Sequence, residues 1–383
     1  MTPLPLSLYL HFPWCVAKCP YCDFNSHSLQ GELPAEKYVD ALLRELVIAA
    51  PSLADRPLLS IFMGGGTPSL FPPDEIDRLL CGVRQHFVLS PDAEVTMEGN
   101  PGAVEHGAFE GYRAAGVNRL SLGAQSFDDR MLKALGRIHS VAATEAAFAE
   151  ARAAGFENIN LDLMFALPAQ SLQDAEADVL AALELQPEHI SYYHLTLEPN
   201  TVFYSRPPPL PDTDEAWKIQ DVGSHLLQDA GYANYEVSAW AKDGRQCAHN
   251  LNYWRFGDYL GLGAGAHGKL TDAAGKAVRE ARPANPRQYL RDAASAVALT
   301  AQSPIEQQDL VFEFMLNVLR LRDGFSLNDF EAGTGLSASL LQPGLHEGVS
   351  RRLLIESAAG HFQPSERGWH FLDDLQSIFL PRV

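Results

Sequence analysis

The sequence lacks any apolar run long enough to span a membrane. Of its 383 residues 46% are hydrophobic, yet no segment approaches the ~20 consecutive apolar residues of a transmembrane helix. The apolar N-terminal segment also has no basic residues ahead of it, so it makes a poor signal peptide and a good first β-strand. We therefore expect a protein that is not itself a membrane protein.

Basic residues are scarce as well. The chain has 29 lysines and arginines against 48 acids, a formal net charge of −19, and no lysine from Ser303 to Val383. Nucleic acids and anionic membrane surfaces both require a basic footprint on their partners. We therefore do not expect nucleic acid as a partner.

Cysteines are few, and their number is odd. Five occur in the chain, and three of them lie close together at Cys15, Cys19 and Cys22. A disulfide framework does not account for this clustering, whereas reduced thiolates on a metal do. The cysteine pattern therefore predicts a reducing, cytoplasmic location.

Short β-type runs alternate with helical segments along the first half of the chain. Six such β-then-α units predict a parallel sheet with helices outside it, either curved into an incomplete barrel or left open as a doubly wound sheet. The predicted strands are Leu6–Phe12, Leu58–Met63, Glu94–Met97, Arg119–Leu122, Asn158–Leu163 and His189–Tyr193. The predicted helices between them are Glu36–Ala49, Pro73–His86, Ala142–Ala154 and Leu172–Leu185.

The proline-rich stretch at 206–211 marks a change in organisation. After it we expect a helix at Thr213–Gly231, then an irregular segment and a glycine-rich one. An amphipathic helix near Ile305 and two short strands near 353–364 then predict a small, helix-rich, winged-helix-like C-terminal domain. The expected domains are a partial barrel at 1–210, its extension at 211–302, and the C-terminal domain at 303–383.

The three clustered cysteines form a C-x3-C-x2-C pattern directly after the first predicted strand. Three thiolates from one short loop can ligate three corners of a [4Fe–4S] cubane and leave the fourth iron for a non-protein ligand. Structural zinc takes four protein ligands and would need His11 or His27 to complete the set. The cysteines alone leave both metals open.

Further polar groups follow the other predicted strands. The run Met63–Ser69, MGGGTPS, follows the second strand, where a tight turn and a binding loop explain it about equally well. Ligand sites of such folds gather at the carboxyl ends of the strands. Carboxylates there are costly unless they meet cationic or hydrogen-bonding partners, so several of them favour a polar, cationic ligand such as S-adenosylmethionine (SAM). The strand-end residues are Glu98, Gln125, Ser126, Asp162, Tyr193 and His194.

Six blocks in order resemble the radical SAM superfamily and, within it, the HemN/HemW branch. The blocks are LYLHFPWCVAKCPYCDFNSH, MGGGTPS, EGNPG, LSLGAQSFDD, LDLMFALPAQS and YLGLGAGAHG. The resemblance covers nearly the whole chain and implies an α/β fold, an incomplete (β/α)6 radical SAM barrel. It aligns the [4Fe–4S] ligands with Cys15, Cys19 and Cys22. It aligns the SAM contacts with Tyr9, Tyr21, Gly65, Gly66, Thr67, Glu98, Gln125, Arg137 and Asp162.

Two functions compete within that branch. One is the oxygen-independent coproporphyrinogen III oxidase, and the other is the HemW-type haem chaperone. The oxidases carry a fourth cysteine where this chain has Phe24, and they have a longer segment before the cluster loop. Both differences favour the chaperone, so we do not expect a coproporphyrinogen III oxidase, and whether the chain is an enzyme stays open.

An HNxxYW motif also favours the haem chaperone. The resemblance ties its residues His249, Asn250, Tyr253 and Trp254 to haem binding, and a neutral imidazole is a common haem ligand. Cys247 is a rival axial ligand, and a buried histidine among core aromatics is the plain alternative. The expected partners are haem and a haem-acceptor protein, for which a membrane haemoprotein is one option. Homodimerisation is left open.

Overall fold

The computed structural model describes residues 3–102, 109–272, 275–294 and 301–381. In that part of the chain no helix is both long enough and apolar enough to cross a membrane. The strands, in chain order, are β1 Leu6–Phe12, β2 Trp14–Cys15, β3 His27–Ser28, β4 Leu58–Gly65, β5 Leu89–Gly99, β6 Arg119–Gln125, β7 Ile159–Phe165, β8 His189–His194, β9 Ala233–Glu236, β10 Ala239–Ala241, β11 Asp258–Leu262, β12 His267–Thr271, β13 Ala277–Ala281, β14 Ala301–Pro304, β15 Phe325–Ser326, β16 Leu354–Ala358 and β17 His361–Pro364. The α-helices are α1 Ala35–Ala49, α2 Pro73–His86, α3 Phe109–Ala115, α4 Asp129–Ala134, α5 Val141–Ala153, α6 Leu172–Glu184, α7 Val202–Ser205, α8 Thr213–Asp229, α9 Ala248–Trp254, α10 Pro286–Ala294, α11 Gln307–Val318, α12 Leu327–Thr334, α13 Gln342–Ser350, α14 Glu366–His370 and α15 Leu372–Ser377.

Seven neighbouring strands of the large sheet run parallel. The strand order is β14-β13-β12-β11-β1-β4-β5-β6-β7-β8-β10-β9, and every pair from β11 to β8 is parallel. The outer strands on both sides pair antiparallel. From β1 to β8 the order in space follows the order in the chain without reversal. That winding is typical of a barrel, whereas a doubly wound sheet reverses its strand order.

The parallel strands surround one large cavity, here called the barrel cavity. Its volume is about 690 Å³, and each of the seven strands contributes to its wall. Side chains from seven neighbouring strands face one space because the sheet curves around it. Within the described residues β14 and β9 remain the two ends of the sheet, so the barrel is incomplete, as expected. The strand residues in the wall include Tyr9, Phe62, Glu98, Ser121, Asp162, Ser191 and Tyr259.

The six strands predicted from the sequence are confirmed. β1 has the predicted bounds, and six of its seven residues are buried, as expected for a parallel strand covered on both faces. The largest difference in length is at β5, which runs Leu89–Gly99 and extends the predicted Glu94–Met97 on both sides. Helix α2 also has its predicted bounds.

The segment after Gly231, expected to be irregular, instead adds strands to both sides of the sheet. β11 pairs in parallel with β1, and β12 to β14 continue from it. These strands have only four or five residues each, and β11 and β12 contain glycine, so they show little of the alternation that identifies strands in a sequence. At Gly261 a Cβ atom would collide with the His267 carbonyl, so glycine lets β12 lie close. The domain boundaries at 210 and 302 stay predictions.

The C-terminal residues have a hydrophobic core of their own. Phe314, Phe330, Leu345 and Phe362 belong to a buried cluster separate from that of the barrel. Strands β16 and β17 form a hairpin, and β15 pairs with β17 beside the helices. The predicted helix-rich domain with a wing-like hairpin is confirmed.

A buried acid fixes the strand that completes the parallel sheet. Asp258 begins β11, is 0% exposed, and pairs with Arg56 at 2.9 Å and Lys269 at 3.0 Å. Its carboxylate also accepts from the Thr271 backbone N–H at 3.0 Å and hydroxyl at 2.9 Å. One carboxylate therefore joins β11, β12 and the segment before β4.

We expect Asp258→Ala to lower the free energy of unfolding by about 3–5 kcal/mol, because it leaves Lys269 buried without its counter-charge. Chemical denaturation followed by circular dichroism measures this change. Asp55→Ala, at an exposed position, serves as control and should change stability by less than about 0.5 kcal/mol. A loss below about 1 kcal/mol for Asp258→Ala would contradict the role given to this cluster.

Candidate functional site

The cysteine loop follows β1 and is pinned at its base. Strands β2 and β3 pair there, with Trp14 opposite His27 and Cys15 opposite Ser28. At the same base the His27 N–H donates to the Pro13 carbonyl at 2.7 Å, and the Leu29 N–H donates to the Cys15 carbonyl at 2.8 Å. The three cysteines are half-buried free thiols on this loop, so the loop presents all of them at the carboxyl end of β1.

Interactions around the sulfur atoms favour a cationic occupant. Burial raises the pKa of the Cys15 thiol, hydrogen bonding from Thr67 opposes this, and the neighbouring Cys22 and Cys19 raise it further. The Cys19 sulfur accepts from Arg137 at 3.6 Å. Because neighbouring thiolates repel one another, their joint deprotonation requires positive charge, which metal ions supply.

The zinc alternative finds little support in the geometry. Both ring nitrogens of His11 are engaged, one with the Tyr9 hydroxyl and one with the Asn25 carbonyl, each at 2.9 Å. His27 keeps a buried Nε2 without a partner, but in the described ranges no three His, Cys, Asp or Glu side chains converge on a single-ion position. Ligands of a cubane bind separate iron atoms and need not converge in this way.

The cysteines share a smaller cavity with most of the aligned SAM residues. This space, here called the cluster cavity, has a volume of about 130 Å³. Thr67 lies just behind it, on an adjoining cavity with Cys15 and Cys19. Tyr9 lies instead in the barrel cavity, 6.3 Å from the His249 ring. The aligned residues on the cluster cavity are Cys15, Cys19, Cys22, Tyr21, Gly65, Gly66, Glu98, Gln125, Arg137 and Asp162.

Two glycines bring the backbone of the β4 end close to this cavity. Gly65 has φ +111°, and a Cβ there would collide with the His11 ring. A Cβ at Gly66 would collide with the backbone of Phe12 and Trp14. Glycine is therefore required at both positions of the MGGGTPS run for close packing.

Two carboxylates face the cluster cavity from neighbouring positions. Burial, and then repulsion from Asp162, raises the pKa of Glu98 to about 7, although the Gly65 N–H donates to it at 3.1 Å. Burial likewise raises the pKa of Asp162, against a hydrogen bond from Asn160 at 2.8 Å. A cationic or multiply donating ligand would satisfy both groups.

Arg137 connects the cysteine loop to the glycine-rich loop. Besides Cys19 it donates to the Gly123 carbonyl at 3.0 Å and to the Asn100 side chain. Asn100 in turn donates to the Thr67 hydroxyl at 2.7 Å. The guanidinium of Arg137, which the resemblance predicts to contact SAM, therefore also holds the two loops of the site together.

Gln125 is held in a strained backbone conformation beside the same cavity. Its φ of +68° lies in the left-handed region, which costs a non-glycine residue about 1–2 kcal/mol. Its side-chain oxygen accepts from the Tyr193 hydroxyl at 2.9 Å. In this backbone conformation the Gln125 side chain lies on the cluster cavity.

Helix α9 carries the HNxxYW motif into the wall of the barrel cavity. The carboxylate of Glu94 accepts from the backbone N–H groups of Ala248 at 2.9 Å and His249 at 3.2 Å. It thereby satisfies the first amides of the helix and fixes its position across β4. All four motif residues, His249, Asn250, Tyr253 and Trp254, line the barrel cavity.

His249 presents one nitrogen to the cavity. Burial lowers its pKa to about 4, so the ring is neutral near pH 7. Its Nδ1 lies 3.1 Å from the Ser60 hydroxyl, which itself donates to Ser7. The Ser60 oxygen therefore accepts a hydrogen bond from Nδ1–H. This places the lone pair on Nε2, which has no hydrogen-bond partner among the described residues.

Cys247, the rival axial ligand, lies behind the helix. It is 0% exposed, and its thiol donates to Glu94 at 3.3 Å. Burial raises its pKa to about 12. A thiol that is protonated, hydrogen-bonded and outside the cavity wall is a poor iron ligand.

Comparison with known proteins identifies the family of this chain. The model of the radical SAM superfamily matches residues 9–182, and that of the HemN C-terminal domain matches residues 305–371. The chain is 48% identical to the haem chaperone HemW of Escherichia coli K12 and 46% identical to that of Haemophilus influenzae, each over 98% of both chains.

The chain belongs to the HemW family. Its fold is also similar to that of the E. coli coproporphyrinogen III oxidase HemN, a radical SAM enzyme, with a TM-score of 0.83 over 98% of this chain and 90% of that one. The sequence identity to HemN is 23%, so this likeness shows the fold alone. Membership of the HemW family thus rests on the closer sequence relatives.

The residues predicted from the sequence do not include several that shape the two cavities. Ser60 and Arg119 lie near the amino ends of their strands and Glu94 lies in the middle of β5, so a search at the carboxyl ends of strands does not reach them. Arg119 carries a signal nonetheless, because it is a charge in a strand whose other residues are uncharged. Asn100 directly follows β5, so a search at the carboxyl ends of strands could have identified it.

The raised pKa of Glu98 predicts a specific pH dependence of stability. The folded protein holds this proton more tightly than the unfolded chain, so the stabilisation is present below pH 4.5 and is lost as pH rises to about 7. A shift from 4.5 to about 7 corresponds to about 3 kcal/mol. Wild type should therefore lose about 3 kcal/mol more than Glu98→Gln between pH 4.5 and 7.5, measured by urea unfolding without ligands. Parallel pH profiles for the two proteins would contradict this assignment.

Proposed function

We propose that this protein is a haem chaperone that binds haem through His249 and passes it to an acceptor protein. We further propose that Cys15, Cys19 and Cys22 hold a [4Fe–4S] cluster with SAM on the remaining iron. The observation that carries the proposal is the His249 imidazole on the wall of the barrel cavity, whose Nδ1 is engaged with Ser60 and whose Nε2 has no hydrogen-bond partner among the described residues. The names of the HemW relatives, which are haem chaperones, support the same function.

The size and lining of the barrel cavity suit a large flat ligand. Its volume of about 690 Å³ lies within the range of small-molecule sites. Phe62 lies 4.9 Å from the His249 ring, and Tyr253 packs against Trp254 and Tyr259. Aromatic rings around a free imidazole offer apolar surface to a macrocycle and a ligand to its iron.

The cluster cavity suits the proposed cofactors. The three cysteines would hold iron, while Gly65, Gly66 and the carboxylates of Glu98 and Asp162 would hold the amino and hydroxyl groups of SAM. The cofactor pair, when bound, supplies one-electron chemistry at the SAM sulfonium. The side chains of this chain orient the ligand and exclude water from it.

The oxidase alternative receives no independent support. The position of the fourth oxidase cysteine is Phe24, whose side chain is exposed, and the likeness to HemN extends to the fold alone. The haem acceptor, for which a membrane haemoprotein is one option, is recognised by features that we do not assign. Five free cysteines support a reducing cytoplasm, and dimerisation stays a prediction.

We expect His249→Ala to remove or shift the Soret band of bound haem and to weaken haem binding at least about tenfold, because it deletes the axial ligand. Absorption titration of the cluster-reconstituted protein measures both. Cys247→Ala is the matched control and should keep the wild-type spectrum. The reverse pattern would make Cys247 the ligand, and conversion of coproporphyrinogen III to protoporphyrinogen IX would replace the chaperone by an oxidase.

We expect Cys15→Ala to lose most of the iron and sulfide that anaerobic reconstitution introduces, about four of each per chain in wild type. Chemical iron and sulfide analysis measures the loss. Cys81→Ala, on the exposed face of α2, should bind as much iron as wild type. Zinc in place of iron at the loop, or equal iron in both variants, would count against the cluster.

A further inference from the structure

Arg119 is a buried cation on the barrel cavity without a hydrogen-bond partner. It begins β6, is 2% exposed, and lines the cavity wall. Its Nε is buried and unpaired, and its guanidinium makes no hydrogen bond to any described residue. The carboxylate nearest to it, that of Glu94, is 3.9 Å from Nε.

The neighbouring acids already accept hydrogen bonds from other groups of the chain. Glu94 accepts from Cys247, Ala248 and His249, and so it is committed to the start of α9. Asp162, whose charge also acts on Arg119, accepts from Asn160 at 2.8 Å. These acids balance the charge of Arg119, but they leave its donors unused.

Unused guanidinium donors in a buried site indicate an acceptor that arrives with a ligand. A buried donor without a partner leaves its desolvation uncompensated, and this penalty is larger when the donor is charged. The planar fork of arginine matches a carboxylate or a phosphate in two-point contact. Trp254 Nε1 is a second buried donor without a partner on the same wall. The cavity therefore offers donors to an acidic ligand.

Arg119 also lies at the same end of the cavity as His249. Glu94 accepts from the His249 amide at 3.2 Å and lies 3.9 Å from Arg119, so it stands between them. The charge of Arg119 acts directly on the His249 ring. A ligand bound through its metal at His249 would therefore place its edge within reach of this guanidinium.

We propose that Arg119 binds a propionate carboxylate of the haem that enters the barrel cavity. This inference rests on the proposed haem binding and adds the group that recognises the acidic edge of the porphyrin. It makes Arg119 a selectivity determinant, since the cavity then distinguishes porphyrins by their carboxylates as well as by their iron.

The test compares iron protoporphyrin IX with its dimethyl ester, in which both propionates are neutral. Wild type should prefer the free acid by about 10-fold to 100-fold, the range for a charge-assisted hydrogen-bonded pair. Arg119→Gln should reduce this preference to less than about threefold. Arg119→Lys should recover part of it, because lysine restores the charge without the fork. Arg44→Gln, at a side chain that is 53% exposed, should keep the wild-type ratio.

The outcomes separate this inference from the proposed function. If wild type binds haem with a His249-dependent spectrum but Arg119→Gln keeps the acid-to-ester ratio, the role of Arg119 is wrong and haem binding stands. If wild type binds no haem, both proposals are wrong. Should Arg119→Gln fail to fold, the ratios of wild type and Arg119→Lys decide, because equal wild-type affinities for acid and ester, or an unchanged ratio in Arg119→Lys, would overturn the inference.

Discussion

The carboxylate of Glu94 is the contact on which the arrangement of the barrel cavity depends. It lies on β5 and accepts from the Cys247 thiol and from the first two amides of α9. Those bonds hold the helix across the inner face of the sheet. They place the His249 ring beside Ser60 and Phe62 and keep Cys247 turned away from the cavity. A single buried acid thus positions α9 so that His249 lines the cavity and Cys247 does not.

Much of the fold follows from local patterns in the sequence. The strand β1 and the helix α2 could be predicted to the residue, because apolar runs of strand length and a 3.6-residue period are strong signals. The cluster cavity could be predicted too, since its residues lie at the carboxyl ends of successive strands. Tyr9 differs, because it is at mid-strand and its side chain points into the barrel cavity.

The remainder depends on contacts between distant parts of the chain. Glu94 meets α9 across more than 150 positions, and no local pattern predicts that pairing. The proton position on His249 likewise follows from Ser60, a residue that alone looks like an ordinary strand serine. Arg119 is visible in the sequence as a charge in an apolar strand, but its lack of a partner emerges only from the packing.

The position of β1 within the sheet has a consequence for biosynthesis. This strand pairs on one side with β4 and on the other with β11, where Leu8 lies opposite Leu260. Contacts so distant in the chain form slowly, since a long loop must close before they form. During translation the N-terminal strand keeps one open edge until β11 has left the ribosome. Until then this edge is open to pairing with another strand, which is a route to edge-to-edge aggregation.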